Sequence, residues 1–144
     1  MVTGPPHVVF DLYDWHQTQS PPIFSGHVTL GRMTIDQRKL LWVPLNGGSH
    51  VLEINPNIHN GVVRFIQLNA LKLNACVFGG HFLDILYVSS EPHGFNEARP
   101  GLYQGAQIFA VSTLGNGVKG YLPSRFDMPP PPRGTPKPQN RYWW

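Results

Sequence analysis

The sequence predicts an all-β fold: an antiparallel β-sandwich, jelly roll or small barrel of about eight short strands, with extended arms at both ends. Three observations predict it. Fifteen Gly and fifteen Pro among 144 residues make up about 21% of the chain against roughly 12% on average, which cuts it into short segments. Those segments are rich in β-branched, aromatic and aliphatic residues, and several alternate apolar with polar, as half-buried strands do. Strong turn sequences separate them: Asn46-Gly47-Gly48-Ser49, Asn55-Pro56, Asn60-Gly61 and Gly115-Asn116-Gly117, at intervals that suit a sandwich or barrel.

Residues 1–22 are expected to form an N-terminal arm outside the core, although Val8-Val9-Phe10-Asp11-Leu12-Tyr13 within it has strand composition. The body then spans residues 23–124. Ile23 to Ile35 alternates at Val28, Leu30, Met33 and Ile35, broken by Gly31-Arg32. Lys39 to Val43 is the next strand, and Pro44, lacking an amide donor, should confine it to an edge or an end. His50 to Ile54 follows the glycine turn. Val62 to Phe78 contains no Gly or Pro; it is expected to hold two strands around Asn69-Ala70, with a helix as the alternative, because Leu68, Leu71 and Ala75 also fit helical spacing. Phe82 to Val88, Gln107 to Thr113 and Val118 to Leu122 complete the strands. Ser89 to Gly105 is longer than an ordinary connection and is a candidate functional loop or subunit contact.

Charge is scarce and unevenly placed. Charged residues make up 13% of the chain, about half the usual share, so uncharged polar and aromatic side chains must cover much of the surface. That composition suits burial between subunits. Residues 1–124 hold seven Lys/Arg and seven Asp/Glu, so the net charge of +3 resides in residues 125–144. This Pro-rich tail, Met128 to Pro138, is restricted to extended or polyproline-like backbone and ends in Arg141-Tyr142-Trp143-Trp144. A stiff spacer tipped with aromatics is what a strap between subunits needs. The candidate partner-binding residues are therefore Trp15, Arg133, Lys137, Arg141, Tyr142, Trp143 and Trp144.

Other chemistry is weakly indicated. A lone cysteine, Cys76, in an apolar setting excludes an intramolecular disulfide and reads as a buried thiol. The weak metal candidates are His50, Glu53 and His59. They resemble the spread His/Glu ligand set of cupins but lack its paired His-x-His, and His50 and Glu53, three apart on a strand, should face opposite ways. His81 and Asp84 suggest an oriented base without a nucleophile. No catalytic or phosphate-binding motif occurs, no cofactor is expected, and no metal site is assigned. Trp15, Trp42, Tyr87 and Tyr103 could stack on sugars, though Trp42 lies in an apolar strand and reads as core. Four basic residues are few for a nucleic-acid surface. No signal peptide or membrane-length apolar run is read from the sequence.

Low charge, a β-rich body and Pro-rich arms resemble virion accessory proteins such as capsid cement or decoration proteins. The resemblance implies a non-enzymatic assembly protein, located in a virion or the cytoplasm. Such a protein would form a homo-oligomer, possibly a trimer, and bind a larger assembly such as a capsid shell. The alternatives are a carbohydrate- or peptide-binding β-sandwich module and a cupin-like metalloprotein.

Overall fold

The computed structural model describes residues 4–94 and 104–123. Nearly all regular structure is β, in two antiparallel sheets packed face to face, which is the fold class expected. The first sheet contains β1 (Thr29–Leu30), β2 (Thr34–Ile35), β3 (Leu41–Asn46), β4 (His50–Ile54) and β5 (Val62–Gln67). Strands β2 to β5 are neighbours in chain order, and β1 joins the same edge of β3 as β2. The second sheet is β6 (Leu73–Gly79), β7 (Ile85–Ser90) and β8 (Ile108–Ser112), again in chain order. The molecule is thus two successive up-and-down meanders laid against each other. Val62 to Phe78 resolves into two strands, β5 and β6, and not the alternative helix.

Period-two alternation decides which residues meet between the sheets. Trp42 and Val51 of the first sheet pack against Leu73, Cys76, Phe78, Leu86 and Val88 of the second, with Val118 joining them. Leu73 and Cys76 are three apart, so strict alternation would place them on opposite faces. A β-bulge between Leu73 and Ala75 restores the phase and turns both inward. Gly120 is required here for space, since a Cβ would lie 2.1 Å from that of Phe78.

The opposite face of the first sheet is also covered. Val43, Leu45, Leu52 and Ile54 pack against Leu12, Trp15 and Val28, so β4 is buried along its whole length. Residues 12 and 15 sit on α1 (Leu12–Gln17), whose N-cap Asp11 accepts from the Tyr13 and Asp14 amides. The expected N-terminal arm is therefore corrected: its second half is a capped helical turn with an apolar i, i+3 pair that closes a sheet face. The strand composition of Val8 to Tyr13 is overridden by that packing.

Pro44 is the second correction. It lies inside β3, an inner strand with β4 on one side and β1 and β2 on the other. The Gly31 amide donates to the Pro44 carbonyl at 2.8 Å, and a strand residue's N and O point the same way. The missing Pro44 donor thus faces the gap between β1 and β2, where pairing slips by one residue. The final expected strand, Val118 to Leu122, shrinks to a single bridge, Asp36 with Gly120. No helix among the described residues is long and apolar enough to cross a membrane.

Candidate functional site

Beside the break between β1 and β2 lies a cavity of about 470 Å³. Freed from β3, the chain at Arg32 turns its backbone to the second sheet: its amide donates to the Asn74 carbonyl (2.8 Å), and its carbonyl accepts from the Cys76 amide (3.1 Å). Gly31 makes this approach possible, because a Cβ there would lie 2.7 Å from the Asn74 carbonyl oxygen and 2.9 Å from the Pro44 ring. The cavity therefore sits where the sheets join. Its walls are Thr29 to Arg32, Asn46 at the end of β3, Asn74 and Ala75 at the bulge of β6, and Glu91 just after β7.

The polar groups in these walls are partly committed. The Asn74 carbonyl Oδ1 accepts from the Ser89 hydroxyl at 2.6 Å, which leaves its amide hydrogens available. Asn46 Nδ2 donates to Glu91 Oε1 at 3.2 Å, which leaves the Asn46 Oδ1 as an acceptor and ties the Glu91 carboxylate to the end of β3. The Glu91 amide is anchored by the Lys72 carbonyl at 2.9 Å. Arg32 is exposed at the rim, with its backbone fixed on both sides. The site thus combines guanidinium and amide donors, an amide acceptor and one carboxylate. Such a set suits an oxygen-rich, uncharged or anionic small molecule.

The residues singled out from sequence do not form this site. Trp15, expected at a surface or interface, is buried with its ring 6.1 Å from Phe10 and 6.4 Å from Phe65; its indole closes the core under α1. Arg133, Lys137, Arg141, Tyr142, Trp143, Trp144 and Tyr103 lie outside the described residues. His50, Glu53 and His59 are not brought together. The buried His50 ring pairs through Nδ1 with the Gly48 carbonyl, His59 is exposed in the Asn55–Gly61 turn, and Glu53 faces the other side of β4. Among the described residues no three His, Cys, Asp or Glu side chains group as a metal site.

Glu53 instead anchors an ion network. Cross-strand register aligns Trp42, Glu53 and Arg64 on the inter-sheet face. The Glu53 carboxylate, with no solvent exposure, pairs with both Arg38 and Arg64, and Arg64 also lies over the Trp42 ring at 5.7 Å. Asp36, equally buried, accepts from Trp42 Nε1 (3.1 Å), the Arg38 and Leu40 amides, and the Arg38 side chain. Two buried carboxylates are balanced by two arginines and fixed donors, so their role is structural. His81 stacks edge-on with Phe82, while Asp84 contributes its carbonyl to Thr113; they form no described pair.

The cavity residues Arg32, Asn46, Asn74 and Glu91 were not legible as a group. The visible signals were Gly31-Arg32 interrupting an alternating run and the glycine turn after Asn46, both of which read as turn chemistry.

No family model matches the chain. It is 38% identical over 65 residues to YvrE of Bacillus subtilis, named by inference as a sugar lactone lactonase, covering 45% of this chain and 22% of that protein. It is 32% identical over 95 residues to regucalcin of Xenopus laevis, covering 65% of this chain and 31% of that protein. A solved structure of luciferin-regenerating enzyme superposes with a TM-score of 0.56 at 26% identity, over 69% of this chain and 34% of that one. The chain therefore spans about a fifth to a third of the length of these relatives. These likenesses overturn the expectation of a non-enzymatic capsid cement or decoration protein, and with it the viral and non-catalytic assignments. Low charge and Pro-rich ends are compositional traits, and composition does not separate an assembly protein from a segment of a larger fold.

Proposed function

We propose that this chain is a two-sheet segment of a β-propeller enzyme that hydrolyses sugar lactones, and that the cavity between its sheets is part of the lactone site. The observation that carries the reading is the agreement of sequence and fold. Likeness to a protein named as a sugar lactone lactonase coincides with structural likeness to an enzyme. The architecture supports it: propellers repeat small antiparallel meanders packed face to face around a centre, and this chain contains two such meanders in succession.

The reaction proposed adds water across the lactone ester. Water oxygen bonds to the carbonyl carbon, the ring C–O bond breaks, and the product is a hydroxy acid. In this reading the carboxylate of Glu91 in the cavity wall takes the proton of the attacking water and passes it to the departing ring oxygen. Arg32 and the Asn74 amide are donors for the carbonyl oxygen as negative charge develops on it. Asn46 Oδ1 accepts from a sugar hydroxyl.

Proton release from a six-carbon sugar lactone at constant pH tests this. The expected result is hydrolysis above the spontaneous rate. Glu91→Gln should lower kcat by about 10²-fold or more, and Arg32→Ala should raise KM with the melting temperature unchanged. Hydrolysis at the background rate in the unaltered chain, together with no calorimetric binding of the lactone or its acid, would overturn the reading.

A further inference from the structure

The turn between β3 and β4 borders a second cavity, of about 180 Å³. Its His50 has the strand phase of Leu52 and Ile54, so it lies on the face of the first sheet that α1 covers. We propose that this cavity binds a small neutral ring compound carrying one hydroxyl, and that the hydroxyl donates to His50 Nε2. The proposal is independent of lactone hydrolysis, because the cavity between the sheets lies on the other side of β4.

His50 carries the inference. The residue is 6% exposed, its ring meets Phe65 nearly edge-on at 5.5 Å, and its Nδ1 pairs with the Gly48 carbonyl. A carbonyl can only accept, so Nδ1 holds the hydrogen and Nε2 is left with a lone pair. No described group donates to Nε2, yet the atom is not sealed from solvent, and the cavity is the space that the ring lines. An acceptor this deep without a donor is unfavourable, and a ligand hydroxyl supplies the donor.

The other walls select the rest of the ligand. Ile23, Phe24 and Leu71 are apolar, and Phe24 is braced by the His16 ring stacked on it at 3.8 Å. Ser25, Ser49 and Gln67 add uncharged polar groups, with Gln67 directly opposite His50 in the register of β4 and β5. Apart from His50 no lining residue can ionise, so a charged ligand would find no counter-charge. A cavity of about 150 Å³ holds benzene, which leaves room here for a six-membered ring and its hydroxyl. The walls are also set in advance: the Gly47 and Ser49 amides both donate to the Leu71 carbonyl, at 2.9 and 3.2 Å. That ties the turn to the chain between β5 and β6, so little ordering remains for binding to impose.

Phenol and toluene share a shape and differ by the donor, so titrating each into the full chain is the test. At about pH 8, where an ordinary histidine is neutral, long-range proton–nitrogen NMR should show His50 with Nε2 unprotonated. Phenol should move that nitrogen signal as binding saturates. It should also bind at least tenfold more tightly than toluene, a preference that His50→Phe should abolish. If His50→Phe does not fold, the comparison of the two ligands on the unaltered chain decides. Equal binding of phenol and toluene, no saturable binding of phenol, or a His50 Nε2 signal that phenol leaves in place would overturn the proposal.

Discussion

Cys76 shows how position governs a side chain's chemistry. Its thiol donates to the Trp42 carbonyl at 3.1 Å between the sheets. Burial, opposed by a weaker hydrogen bond from the Thr34 backbone, pushes its pKa up from 9.0 to about 12. Two consequences follow. Alkylation by iodoacetamide at pH 8 should be slow in the native chain and become rapid only in denaturant, which mass spectrometry reads directly. Because the folded thiol holds its proton more tightly than the unfolded one, its stabilising contribution is complete below about pH 9. It is lost as pH rises toward 12, by up to about 1.4 kcal/mol per pH unit. Denaturant titrations at pH 8 and pH 10.5 should show that decline, and Cys76→Ser should flatten it. The buried thiol was legible from its apolar neighbours. The pairing of Glu53 with Arg38 and Arg64 was not, because those partners lie 15 and 11 residues away and only register brings them together.

At the scale of elements, β4 through β8 could be located from sequence as apolar or β-branched runs between turn signals, with boundaries shifted by a few residues. Three features were hidden, each for a physical reason. The helix α1 is six residues long and its flank reads as strand; only the Asp11 cap and the Leu12/Trp15 spacing betray it. Pro44 is tolerated inside an inner strand because its absent donor meets a break in the neighbour. Val118 to Leu122 has strand composition, but only Val118 and Gly120 are buried, so packing rewards two contacts and not a ladder. Trp15 is the element-level test of the covered face. Trp15→Ala should cost about 3–5 kcal/mol in chemical denaturation, a loss that a dispensable arm would not produce.

For the whole molecule, the two sheets should behave as one cooperative unit. Phe78 of the second sheet meets the Trp42 ring of the first edge to face at 5.8 Å, and the Asp36–Arg38–Glu53–Arg64 network borders that contact. Urea unfolding followed by tryptophan fluorescence and by far-ultraviolet circular dichroism should give coincident transitions. Phe78→Ala should shift both midpoints together, by about 3–5 kcal/mol in stability. Separated transitions would mean that the sheets fold independently. The fold class was readable from turn spacing and alternation, since those are local. The cavity was not, because its walls come from four separate stretches of chain that converge only after the sheets dock.

The meeting of the two sheets gives that cavity an unusual wall. Most binding hollows are shaped by side chains and can be filled or emptied by exchanging them. This one is walled partly by backbone: the Arg32 amide and carbonyl bond Asn74 and Cys76 across the sheets, and Gly31 has no side chain to keep them apart. Changes at Arg32, Asn46, Asn74 or Glu91 would alter which molecule is welcome there, while the opening itself would persist.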